Sequence, residues 1–320
     1  MMTQKLTQTQ KDRFNRLTAQ LRECHKAGDF ESAKLFAYDI RSLAQSTGDK
    51  ARWLYALNIL SETALMAGKI NYAIQLLNNS VQTSNCTTRL RVEAYCLLAI
   101  AYLRSGEIES ARNSAVNGIN TIKNITSKFS RQNFYKNFIE RIEEEAILAG
   151  ARLENTPHFD VDIVQADAIK ILSESESQLL TRIGSALPDR SVNLFHTFRD
   201  TTLLQIPHQE RLCLQPPPGE IPTLSIGKRA MAALKHVCWT TLCDKNDELY
   251  KAWSEGLALV YDKKLIAGAI VAAFSGANIG SSVLAASTVA YIFKFTCRTF
   301  CEAFAPKSIM KREYKRQTTK

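Results

Sequence analysis

The chain has 320 residues, 45% of them apolar, with 13 glycines and 8 prolines. That length points to about two domains, and so few turn residues favour helices over short strands. The formal charge is +10, and part of the excess lies after Pro306, where six Lys and Arg face only Glu313. That tail reads as a solvated basic end.

Residues 1–13 are polar and lack an apolar core, which predicts no secretory signal. The eight cysteines, Cys24, Cys86, Cys96, Cys213, Cys238, Cys243, Cys297 and Cys301, are scattered through helix-like sequence. In that setting they are expected to be reduced thiols of a cytoplasmic protein, mostly acting as small buried apolar groups.

One phrase occurs three times: Ala27-Gly28-Asp29-Phe30-Glu31-Ser32-Ala33, Ala67-Gly68-Lys69-Ile70-Asn71-Tyr72-Ala73 and Ser105-Gly106-Glu107-Ile108-Glu109-Ser110-Ala111. Self-similarity at this period marks stacked helical hairpins. The glycine lets the first helix end in a left-handed conformation. Ala33, Ala73 and Ala111 then fall in the first turn of the return helix, where a side chain larger than methyl would overpack a close helix contact. Before each glycine runs an apolar stripe: Leu17, Leu21 and Cys24, then Leu57, Ser61 and Ala64, then Tyr95, Ala99 and Tyr102. After it run Ala33, Ala37 and Ile40, then Ala73, Leu77 and Ser80, then Ala111, Ala115 and Gly118.

These residues resemble the tetratricopeptide repeat (TPR) family over about residues 12–122. The resemblance implies a hairpin solenoid over residues 1–153, whose first helices line a groove for a segment of a partner protein. Carried over position by position, that groove would use Asn15, Arg22, Lys26, Tyr55, Asn58, Glu62, Glu93 and Arg104, with Gly28, Ala33, Gly68, Ala73, Gly106 and Ala111 as packing positions. The set is polar and of both signs. It does not reproduce the Lys/Asn/Arg set with which some members clamp a terminal carboxylate. Arg131–Glu145 reads as an amphipathic helix that closes the stack or begins a fourth unit. Its acidic run Glu143-Glu144-Glu145 is expected on a solvated face.

Residues 154–226 read as a linker with one helix, from about Gln165 to Ala186, and a stiff spacer at Pro216-Pro217-Pro218. A separate helical module is expected over residues 227–306, with helices Lys228–Cys243 and Asp247–Asp262, followed by the basic tail 307–320. Within the module, Leu265–Phe293 carries no charge over 29 residues. The polar cluster Ser275–Ser282 at its centre and the basic residues on both flanks predict a hairpin of two short helices, with Ser281 or Ser282 as an N-cap. That hairpin could be buried in protein or inserted in a membrane.

No P-loop, H-E-x-x-H or G-x-S-x-G phrase occurs. His25, His158, His196 and His208 stand without a spaced carboxylate or nucleophile. The cysteine spacings after Cys238 are poor matches to a zinc site. The sequence therefore predicts an all-α protein without catalytic residues, metal or cofactor, acting as a protein-binding scaffold. The alternative is a membrane-associated effector or anchor, on the cytoplasmic face of a membrane, that uses residues 265–293 under control of the repeats. Self-association through 265–293 also stays open, and nucleic acid is not an expected partner.

Overall fold

Thr7 opens the first helix with a reciprocal capping box: its hydroxyl accepts the Gln10 backbone N–H while the Gln10 side chain accepts the Thr7 N–H. From there the structure, a computed structural model, describes residues 6–82, 88–214, 221–243, 250, 263–295 and 297–304. Among these residues the protein is all-helical, and sequential helices pack on one another. The chain divides into two compact units. One holds described residues 6–142 and 201–214, the other 143–200 and 221–304.

The first unit begins with α1 (Gln8–Ala27), α2 (Phe30–Thr47), α3 (Lys50–Met66), α4 (Ile70–Gln82), α5 (Thr88–Ser105) and α6 (Ile108–Ile122). Gly28, Gly68 and Gly106 adopt φ of 69°, 71° and 84°. At each, the next residue's N–H bonds back to a carbonyl of the last helical turn: Asp29 to Cys24 at 2.9 Å, Lys69 to Ala64 at 2.8 Å, Glu107 to Tyr102 at 2.9 Å. This is the left-handed cap that satisfies otherwise orphaned carbonyls. Gly48 makes the same cap between α2 and α3, with Asp49 N–H bonding Ala44. Ala33, Ala73 and Ala111 are fully buried. Each helix packs on the next, and α1 and α5 also both pack on α3, so the first helices of the three hairpins form a row.

Helix α7 (Lys128–Ala151) follows. Tyr135, Phe138, Ile139 and Ile142 are buried, and the Phe138 ring lies against Gly118, where a Cβ would collide with it. The first unit regains the chain at Thr201, near the end of α10 (Asp189–Leu204), and continues through α11 (His208–Arg211). Glu210 on α11 accepts two bonds from Arg131 Nε, at 2.8 and 3.0 Å, while Arg131 also donates to the Ile125 carbonyl at 2.6 Å.

The second unit takes its core from α8 (Val161–Lys170), α9 (Glu176–Ser185), α12 (Thr223–Leu242), α13 (Lys263–Gly276), α14 (Ser282–Ile292) and α15 (Cys297–Ala303). Ser281 is the N-cap of α14, its hydroxyl accepting the Leu284 N–H at 3.2 Å. Every residue from Leu284 to Ile292 is buried. α14 packs on α8, α9 and α13, and each fully buried Leu, Val or Ile side chain contributes about 1.5–3 kcal/mol. This enclosure accounts for the uncharged run, since a helix that is apolar all round is an interior helix. Among the described residues no helix is long and apolar enough to cross a membrane. α9 and α12 meet so closely that a methyl group at Gly184 or Gly227 would strike the other helix's backbone.

Four expectations are corrected. Much of the described stretch 154–214 is core rather than linker: Val164, Ala168, Leu179, Leu180, Ile183 and Phe195 share one core cluster with residues 230–300. The break between α8 and α9 is marked by the capping box Ser175/Gln178, a legible signal that a single helix over 165–186 passes over. Glu143, Glu144 and Glu145 are buried rather than solvated. Cys243 and Cys301 are joined in a disulfide, while Cys24, Cys213 and Cys238 are free thiols and Cys213 is exposed. The partners of the disulfide are 58 residues apart, a pairing that local spacing does not reveal. The proline run 216–218, the helix expected over 247–262 (Tyr250 apart) and the basic tail lie outside the described residues.

Candidate functional site

The row of α1, α3 and α5 carries all eight residues expected to line a groove. Helical spacing places Asn15, Arg22 and Lys26 along α1, with Arg22 and Lys26 one turn apart. Asn15 and Lys26 are exposed and Arg22 is half-buried. Arg22 meets Tyr55 of α3 in two ways. Its Nε donates to the Tyr55 hydroxyl at 2.8 Å, and its guanidinium carbon stands 5.4 Å from the ring centroid. Each contact favours a planar cation over a lysine.

One turn further along α1, His25 continues the seam. Its Nδ1 is 3.0 Å from the Thr63 hydroxyl and its Nε2 is 3.7 Å from Glu62 Oε2, both on α3. His25 is thus not isolated, as the sequence had suggested. Its place three residues after Arg22 was a usable signal, because i and i+3 share a helix face. On the other side of α3, Arg104 of α5 donates to the Leu65 carbonyl at 3.2 Å. Arg22, Tyr55, Glu62 and Arg104 are thereby gathered into one polar seam over three helices, with His25 and Thr63 as members missed from sequence.

Two expected groove residues sit elsewhere. Asn58 has no exposure. Its Nδ2 donates to the Leu90 carbonyl at 3.0 Å, and Ser80 Oγ donates to its Oδ1 at 3.4 Å, so it ties α3 to α5 and α4. Glu93 is also buried. α3 and α5 each pack on more helices than α1 does, which leaves less of their surface exposed.

The outer turn of the first hairpin is fixed by a carboxylate. Asp29 accepts the Ser32 N–H at 3.0 Å, and its bonds from Ser32 hold its pKa below the usual carboxylate range. Burial, then the nearby Asp29 charge, pushes the Cys24 thiol up, so at neutral pH it is a packing group rather than a nucleophile.

A second polar cluster lies within the other unit. Glu143 pairs with Arg199 and with Arg229, the latter at 2.9 Å, while Glu144 lies 3.7 Å from both Arg229 and His236. The cluster joins α7, α10 and α12, and its carboxylates meet cations rather than solvent. Burial of this kind is tolerated where opposite charges converge. It holds helices together and presents no nucleophile.

No family model, no curated protein and no solved structure matches this chain, so what the seam does is argued from its own geometry.

Proposed function

We propose that α1–α6 form a TPR-like array and that the face of α1 and α3, with the adjoining part of α5, holds a segment of a partner protein. The observation that carries this reading is the row itself: three first helices side by side, with Arg22, Tyr55, His25, Glu62 and Arg104 engaged across their seams. Such bonds fix the orientation of polar side chains before a ligand arrives, which lowers the entropy lost on binding. Exposed Asn15 and Lys26 flank the seam at its α1 edge. The chain acts in this reading as a non-catalytic scaffold in the cytoplasm. The apolar hairpin α13–α14 serves as the core of the second unit, because its burial leaves little of α14 for a bilayer.

The test uses the tagged full-length protein and mass spectrometry of what co-purifies. Asn15→Glu combined with Lys26→Glu, both at exposed positions, should reduce recovery of a bound partner at least tenfold while circular dichroism and melting temperature stay unchanged. Equal recovery from the folded double variant would end the assignment of this face.

A further inference from the structure

The last described helix, α15, is tied to α12 by a stripe of residues and places Phe300 in the core. Lys235, Trp239 and Cys243 are spaced by four along α12 and so share one face. Cys243, the C-cap of that helix, is disulfide-bonded to Cys301 with the Cα atoms 5.7 Å apart, within the ordinary range for a cystine. One turn back, Trp239 Nε1 donates to the Cys301 carbonyl at 3.1 Å. A further turn back, the Lys235 amine stands 3.7 Å from the centroid of Phe304 and 5.0 Å from that of Tyr291. Tyr291 donates its hydroxyl proton to Glu176 at 2.9 Å, and Phe295 and Phe300 pack on Phe304. Lys235 is thus capped by aromatic rings, and burial lowers its pKa.

Helix α15 is seven residues long, well under the roughly 12–15 at which an isolated helix becomes even marginal. Its place depends on what ties it to α12. The covalent tie is asymmetric: Cys243 is buried and Cys301 is half-buried, so the sulfur of Cys301 is the reachable one. Cys238 lies nearby in sequence, but it is fully buried and burial pushes its thiol far up, so it does not intercept the exchange.

We propose that Cys243–Cys301 is a thiol-operated latch: reduction by a dithiol reductant releases α15 and Phe304 from α12 and uncovers the Lys235 amine. A thiolate of the reductant attacks the Cys301 sulfur and forms a mixed disulfide, and the electron pair of the broken bond leaves on Cys243. The second thiol of the reductant then displaces Cys301. The products are two cysteine thiols, which take up two protons, and the reductant as its own disulfide. α15 packs on α12 and sends Phe300 into the core of the unit, so its release withdraws that ring while α14 keeps its packing on α8, α9 and α13.

The test is hydrogen exchange on the full-length protein, equilibrated with oxidised glutathione and then measured with and without dithiothreitol. Dithiothreitol should speed amide exchange in residues 297–304 at least tenfold and leave residues 282–292 unchanged. Cys301→Ser should show the fast exchange without reductant. Amine acylation of Lys235, read by mass, should rise in parallel. Identical exchange in the two states would overturn the latch, as would both cysteines remaining open to alkylation after equilibration. Loss of protection in 282–292 together with 297–304 would also overturn it, because the bond would then be a staple for the whole unit.

Discussion

Ala73 has no solvent exposure, whereas a Cβ at Gly106 would meet nothing within 4 Å. Enlarging the two positions therefore does harm for different reasons. Ala73→Leu overpacks a helix contact and should cost about 1–3 kcal/mol in urea unfolding. Gly106→Ala has space but keeps a positive φ, and should cost about 1–2 kcal/mol from backbone strain alone. Gly106→Asn, whose side chain tolerates that region, should recover part of the loss. An Ala73→Leu protein as stable as wild type would remove the case for tight packing at the repeated alanine. Asn58 is a third kind of position: Asn58→Ala deletes the bond to the Leu90 carbonyl and leaves Ser80 without its acceptor. A cost of about 1–3 kcal/mol is expected for groups stranded in the interior.

At the scale of elements, the short helix α11 is fastened to α7 by Arg131 and Glu210. Hydrogen bonds from Arg131 hold the Glu210 carboxyl below its usual range. The folded protein therefore keeps this group ionised at a pH where the unfolded chain would take up a proton. The resulting stability is complete above the ordinary glutamate range and is lost as pH falls through the lower folded value. Glu210→Gln should melt below wild type at neutral pH, and the two curves should converge as pH falls below the ordinary glutamate range. A gap that stays constant across that range would mean the charge of Glu210 contributes nothing. The turns between these elements were readable in advance, because Gly-x-apolar-x-x-Ala is a local code: a left-handed cap followed by a close contact one turn later. The burial of Glu143 and Glu144 was not. Their cations Arg199 and Arg229 lie more than fifty residues along the chain, and an acidic run without partners does look like a solvated face. The same limit hid the Cys243–Cys301 pair and made residues 154–226 look like a connector, since α8 and α9 acquire a purpose only when α14 is laid against them.

For the molecule as a whole, the uncharged run and the basic surplus belong to different parts. α14 is enclosed on every turn, so its amides should exchange slowest in the second unit, and those of the four-residue helix α11 far faster. Fast exchange across residues 284–292 would show that the enclosure is loose. The interior helix of the second unit also has a bearing on biogenesis. Residues 265–293 are the stretch of this chain most apt to adhere to the wrong surface, and a ribosome delivers them only after α8, α9 and α12 have been made. The receiving cradle thus precedes its contents during translation. A circular permutant that moves 263–304 ahead of α8 should yield more insoluble product at equal expression, although its finished contacts would be the same.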